Sequence, residues 1–267
     1  MSLFAEMAHL AERGACFVVA TVVSTAGSSP QKAGAKVLVV EDGRLFGTVG
    51  GGAIERQVIE AARELLGDRA ASTRLFDANL TRDLGMGCGG RMTVFLEKVD
   101  RPERLFLFGA GHVAQALSSI ARAAGFRVAV ADARPEWLSE ERFPGAERAL
   151  GNPRAFAREA ALDGAAACVM THDHGLDEEL AEALLGRKLR YLGVIGSARK
   201  GERLRSRLLE RGFSAEAVGR VRTPMGVPIG AQSPAEIAVS IAAELIALRR
   251  GASSPAAGGA SGGAGGE

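Results

Sequence analysis

The residues Gly109-Ala110-Gly111-His112-Val113-Ala114 have the spacing of a phosphate-binding turn. They follow an apolar run, Leu105–Phe108, and open a helical pattern from Val113 to Ala124. In that strand–turn–helix context Gly109 permits a tight turn, Gly111 lets a diphosphate approach the backbone, and Ala114 lets helix and strand pack closely. The free N–H groups of the helix start, with their partial positive charge, suit phosphate oxygens. Asp132 ends the next apolar run, 21 residues after Gly111. A carboxylate there can accept hydrogen bonds from ribose hydroxyls. Two more turns carry polar residues: Thr171-His172-Asp173-His174 after Ala166–Met170, and Gly196-Ser197-Ala198-Arg199-Lys200 after Tyr191–Ile195. In the strand order 3-2-1-4-5 the first and fourth strands are neighbours at the switch point. The glycines with His112, both histidines 172 and 174, Ser197 and the Arg199-Lys200 pair are then expected around one pocket for an anionic, phosphate-bearing ligand. His172 and His174 could also ligate a metal, although their i,i+2 spacing says little by itself.

The cysteines divide by environment. Cys16 precedes an apolar strand and Cys168 lies inside one, so both read as small buried hydrophobes. Cys88 stands among Gly85, Gly87, Gly89 and Gly90. A thiolate in so bare a loop could coordinate a soft metal or attack sulfur. A second glycine cluster, Gly50-Gly51-Gly52, precedes another helix.

These groups need elements to position them. Residues 104–250 alternate short apolar runs with helical segments, which implies a parallel sheet covered by helices. The last helix is expected from Ser233-Pro234-Ala235-Glu236, a capping box with proline at the first helical position, to about Arg250. Residues 1–98 read as a smaller α+β unit. Helices are expected at Leu3 to Arg13 and Ala53 to Leu66, where Ile54, Val58, Ala61, Ala62 and Leu65 recur at helical spacing. Strands are expected at Phe17–Ser24, Lys36–Val40, Arg44–Thr48, Thr73–Phe76 and Arg91–Glu97, with Asp42-Gly43 as a hairpin signal. The fold class is therefore α/β, a C-terminal Rossmann-like doubly wound parallel sheet with a smaller N-terminal α+β domain. The expected domains are 1–98 and 99–250, with the charged stretch Lys98 to Arg104 as linker. The tail 251–267, of Gly, Ala and Ser with one Pro, is expected to be disordered.

Composition narrows the function classes. The chain has 267 residues, 47% of them hydrophobic, enough for a buried core. A net charge of +2 gives no footprint for nucleic acid. No apolar run is long enough to span a membrane, and residues 1–13 do not read as a signal peptide. Three widely spaced cysteines make no disulfide framework, so a cytoplasmic location is expected.

Four segments together resemble the XdhC/CoxI family. They are Gly47-Thr48-Val49-Gly50-Gly51-Gly52-Ala53-Ile54-Glu55, the Gly85–Gly90 loop, the Gly109–Ala114 turn with its Rossmann domain, and Gly193-Val194-Ile195-Gly196-Ser197 followed by Thr223-Pro224-Met225-Gly226. The resemblance covers nearly all of residues 10–248. It implies a chaperone that binds and protects the molybdenum cofactor, as molybdopterin or its dinucleotide form, supports its sulfuration and delivers it to xanthine dehydrogenase or a related hydroxylase. The implied partners are the apo-subunit of that hydroxylase and a cysteine desulfurase, with a homodimer as the expected assembly. Such a chain is an accessory factor rather than the hydroxylase. The family cysteine implicated in cofactor binding maps onto Cys88, a candidate molybdenum ligand. Gly87 stands where many members carry a second, adjacent cysteine, and Ala53 where some CoxI-like members carry cysteine. The rival reading is an NAD(P)-dependent oxidoreductase, which the glycine turn and Asp132 alone would favour. A redox-sensing regulator is a further rival, disfavoured by the weak net charge.

Overall fold

The structure is a computed structural model that describes residues 2–68, 71–79 and 90–252. Cys88, Gly89 and residues 253–267 of the tail lie outside the described residues. The chain divides between Pro102 and Glu103 into two compact units.

The first unit starts with helix α1 (Leu3–Glu12), capped by Ser2, whose hydroxyl accepts from the Ala5 amide. Strands β1 (Phe17–Ala26), β2 (Lys36–Val40) and β3 (Leu45–Gly47) follow, then helix α2 (Gly52–Gly67) and strands β4 (Thr73–Asn79) and β5 (Arg91–Val99). The strands form one antiparallel sheet, ordered β3-β2-β1-β5-β4. Side chains alternate across a strand. Val18, Ala20 and Val22 of β1 therefore pack with Ile54, Val58 and Leu65 of α2. Phe17 and Val19 point the other way, toward Leu10 of α1 and Leu38 and Val40 of β2. The run Phe17–Ala20 is apolar throughout because both faces of β1 are covered. Each such side chain contributes about 1.5–3 kcal/mol on full burial. The Asp42-Gly43 hairpin forms, with Val39 opposite Leu45, but β3 is shorter than the expected Arg44–Thr48.

The second unit alternates as its sequence suggests. Strand β6 (Arg104–Phe108) leads into α3 (His112–Ala123), then β7 (Arg127–Asp132), a 3-10 turn (Pro135–Trp137), β8 (Glu147–Leu150) and α4 (Pro153–Glu159). Strand β9 (Ala166–Val169), α5 (His174–Leu185), β10 (Tyr191–Val194), α6 (Ala198–Glu210), α7 (Ala215–Gly219), β11 (Val221–Arg222) and α8 (Pro234–Arg249) complete it. The six strands are all parallel, ordered β11-β10-β9-β6-β7-β8, so the chain reverses direction across the sheet between β6 and β9. This is the Rossmann-like doubly wound sheet.

Leu105, Leu107, Cys168 and Tyr191 face a core with α3 and α8. Phe106, Phe108, Ala167 and Leu192 face the opposite core with α4, α5 and α6. Strands β8 and β11 are edge strands with no apolar run. Glu147-Arg148-Ala149-Leu150 is mostly exposed and Val221-Arg222 is only a bridge, so periodicity did not announce them.

Candidate functional site

The carboxyl ends of β6, β9 and β10 carry the three turns singled out in the sequence. The glycine turn is built against β9. Gly109 has φ +108°, and a Cβ on it would lie 2.5 Å from the Met170 carbonyl oxygen, so only glycine fits. Its amide donates to the Ala131 carbonyl at 2.8 Å. Gly111 is the N-cap of α3 in extended backbone, and no side chain caps that helix. A Cβ on Gly111 would meet nothing within 4 Å. The helix start is thus open to an anion, as the spacing predicts.

Asp132 does something other than wait for a ribose. It is 4% exposed. Its Oδ2 accepts from the Ala110 amide at 2.7 Å and from Arg134 Nη2 at 2.8 Å. Its Oδ1 accepts from the Arg134 amide at 3.0 Å and Arg134 Nε at 2.9 Å. A carboxylate has about four acceptor positions, and these four bonds fill them. Burial pushes its pKa up, but the bonds from Arg134 and the two amides outweigh burial and hold it below the ordinary aspartate value. The carboxylate ties the glycine turn to β7.

Beside it lies a cluster the sequence reading missed. Trp137 is half-buried, with the Arg134 and Arg142 guanidiniums 4.9 and 4.7 Å from its ring centroid and the His112 ring edge-on at 5.3 Å. Arg142 also donates to the carbonyls of Ala110, at 3.1 Å, and Trp137, at 3.0 Å. The available signal was the Asp-x-Arg spacing after a strand.

The β9 and β10 turns meet through side chains. Asp173 caps α5 by accepting from the Gly175 amide, and Ser197 caps α6. Lys200 Nζ lies 2.6 Å from His174 Nε2. A charged lysine only donates, so Nε2 accepts and the ring proton sits on Nδ1. Nδ1 is 3.7 Å from Asp177 Oδ2. Asp177 is buried; its Oδ1 accepts from the Thr171 amide and hydroxyl at 2.9 and 2.7 Å, while Oδ2 has no hydrogen-bond partner. Burial raises the pKa of Asp177, with the Thr171 bonds and His174 acting against it. His172 is exposed, as are Ser197 and Arg199. Among the described residues no three His, Cys, Asp or Glu side chains gather to hold a metal ion.

His174, Lys200 and Gly196 do not all line one hollow. His174 and Lys200 line a hollow of about 280 Å³ between α5 and α6. Gly196 lines another, of about 590 Å³, formed with α8 and residues 221–231. The doubly wound sheet puts α5 and α6 on one face and α8 on the other, so the ends of β10 open to two sides.

In the first unit, Gly50 and Gly51 lead into α2, which begins at Gly52, but the loop already holds an anion of its own. Glu55 Oε2 accepts from the Val49 amide at 3.0 Å, the Gly51 amide at 3.3 Å and the Thr48 hydroxyl. The Gly50 amide donates to Thr48 Oγ1 at 3.0 Å. The Thr48 hydroxyl, with the amides and against burial, holds the Glu55 pKa below its ordinary value. A Cβ on Gly90 would lie 2.2 Å from the Ser28 carbonyl oxygen, so this glycine is needed for packing. Cys168 is fully buried, and burial raises its pKa strongly. Cys16 is only half-buried, with its sulfur 4.0 Å from Asp100 Oδ1, which corrects the expectation of a buried hydrophobe. It stands at the sheet's end, just before β1.

Residues 105–245 match the family model described as the XdhC Rossmann domain, and residues 10–77 match the XdhC and CoxI family. The protein YqeB of Escherichia coli K12 is 36% identical over 257 residues, 94% of this chain but 47% of YqeB. The chain thus spans about half the length of that relative. The molybdenum cofactor insertion chaperone PaoD of the same organism is 24% identical over 298 residues, 92% of this chain and 87% of PaoD. A crystal structure from Bacillus halodurans, described as a xanthine dehydrogenase, superposes with a TM-score of 0.53 at 26% identity. That alignment covers 94% of this chain and 96% of the other.

Proposed function

The chain belongs to the XdhC and CoxI family, and on that premise we propose that it binds the molybdenum cofactor and serves its insertion into a molybdenum hydroxylase. The observation that carries this reading is the open, uncapped start of α3 at Gly111, inside the segment that matches the XdhC Rossmann domain. The name of PaoD, a molybdenum cofactor insertion chaperone, points the same way. The cofactor brings a phosphate, a pterin and a sulfur-held molybdenum centre. The chain's part is to grip the phosphate at Gly111 and His112, with Gly196, Ser197, Arg199 and Lys200 as further contacts, and to keep water from the rest. Support of sulfuration with a cysteine desulfurase, delivery to a xanthine dehydrogenase-like apo-subunit, a homodimeric assembly and a cytoplasmic location belong to the same proposal. So do contacts from His172, His174 and the Gly50–Gly52 loop, and from Cys88 and Gly89, with Cys88 as a molybdenum ligand. Among the described residues no helix is long and apolar enough to cross a membrane. The rival reading, an NAD(P)-dependent oxidoreductase, needs a free acid for the ribose, and Asp132 has its acceptor positions filled within the chain.

The test is chemical analysis of the chain purified from a host that makes molybdenum cofactor. Pterin is read by fluorescence after oxidation, molybdenum by mass spectrometry, and nicotinamide in parallel. The expected result is pterin with molybdenum. Gly111→Val should lower the pterin content about tenfold or more with an unchanged melting temperature, because the added side chain meets only open space in the protein. Recovery of nicotinamide nucleotide without pterin overturns the reading.

A further inference from the structure

The 590 Å³ hollow at the ends of β10 and β11 has the size of a small-molecule site, which typically runs to about 300–1,000 Å³ with apolar walls and a few placed polar groups. Its walls include Ile195, Met225, Val227, Ile229 and Ile237. They also include the Thr223-Pro224-Met225-Gly226 segment, for which the glycine turn supplies no role. Among these groups stands one buried acid, Glu244, whose side chain is 7% exposed. Its Oε2 accepts from the Tyr191 hydroxyl and the Gly226 amide, both at 2.6 Å. Gly226 comes this close to α8 only because it is glycine. It has φ +98°, and a Cβ there would lie 2.2 Å from Ser240 Oγ. Oε1 makes no hydrogen bond among the described residues; Arg222 Nε stands 3.9 Å away. Nor is Oε1 among the sealed side-chain atoms, so it keeps access to the hollow. Among the described residues Oε1 thus has the Arg222 guanidinium beside it but no hydrogen bond.

These features select a ligand class. A carboxylate oxygen accepts, so an occupant that meets Oε1 must bring an N–H or O–H donor; Arg205 and Arg222 also line the hollow. The apolar part of the lining suits a ring. Resting on the cofactor-binding reading above, we propose that this hollow receives the pterin ring, with Glu244 Oε1 accepting an N–H of its 2-amino group. Glu244 is then a specificity-determining residue, separate from the phosphate grip at Gly111.

The probes are free pterin and lumazine, which carries a carbonyl where pterin carries the amino group, each titrated calorimetrically into the full chain. The parent should prefer pterin by roughly 10- to 100-fold, the cost of setting a carbonyl against a buried acceptor. Glu244→Gln can keep the Tyr191 and Gly226 bonds through its amide carbonyl while turning an NH2 donor into the hollow. Its preference should fall to about unity or reverse toward lumazine. Equal affinities in the parent overturn the proposal without recourse to any variant, and so does a pterin preference that survives Glu244→Gln. Neither result depends on the molybdenum content of the preparation, which tests the cofactor reading by itself.

Discussion

At the scale of single residues, the chemistry-bearing side chains are held more by one another than their spacing suggests. His172 and His174 look alike in sequence, two residues apart. Both are exposed, but only His174 bridges Lys200 toward Asp177. Asp177 was not legible as a site residue, because its burial depends on α5 packing against the sheet. Its Oδ2, which makes no hydrogen bond among the described residues, and its raised pKa give a prediction with a sign. A folded-state pKa above the unfolded value of about 3.9 means that the fold binds the proton more tightly than the unfolded chain does. The stability this contributes is present at low pH and lost as pH rises through the folded pKa, so the ionised form is a cost at pH 7. Asp177→Asn keeps an acceptor for Thr171 and removes the charge. It should be more stable than the parent at pH 7 by on the order of 1 kcal/mol, with the gain vanishing below about pH 4. Urea melts at the two pH values check this. A variant less stable than the parent by the same amount at both would show that Asp177 serves packing alone.

At the scale of elements, helix starts were the most legible features, because capping chemistry is local. Ser233 Oγ accepts from the Glu236 amide at 3.3 Å, and Glu236 Oε2 accepts from the Ser233 amide at 3.0 Å, the capping box expected from four residues. The Ser233 and Gln232 amides hold the Glu236 carboxyl below its ordinary pKa. Ser233→Ala should cost about 1 kcal/mol, read as a lower urea midpoint with an unchanged slope. An unchanged midpoint would mean that the packing of α8 on α3, through Ala238, Ile241 and Leu245, fixes the helix without its cap. Strands follow a different rule. Central strands β6, β7, β9 and β10 announce themselves by apolar runs because both faces are buried. Edge strands β8 and β11 do not, because their pairing depends on a neighbour brought from elsewhere in the chain.

At the scale of the whole molecule, each unit has its own cores: two in residues 2–102 and two in residues 103–252. The sole tryptophan, Trp137, belongs to the second unit, where it contacts Arg134 and Arg142. A fragment of residues 103–252 should therefore unfold in one cooperative transition followed by Trp137 fluorescence; a gradual, non-cooperative change would show that this unit depends on residues 2–102. The sequence by itself determined the fold class, the order of the central elements and the glycine turn that opens α3. Those follow from periods and from glycine, proline and serine chemistry within a few residues. Tertiary structure alone decided that Asp132 is saturated by Arg134 and Ala110, that Glu55 fills its own glycine loop, and that Glu244 keeps one oxygen open to a hollow. Each of these rests on partners supplied by packing. The carboxylate of Glu244 meets Tyr191, 53 residues away in the chain, because β10 and α8 share one side of the sheet. No local spacing encodes which acceptor such a contact leaves free.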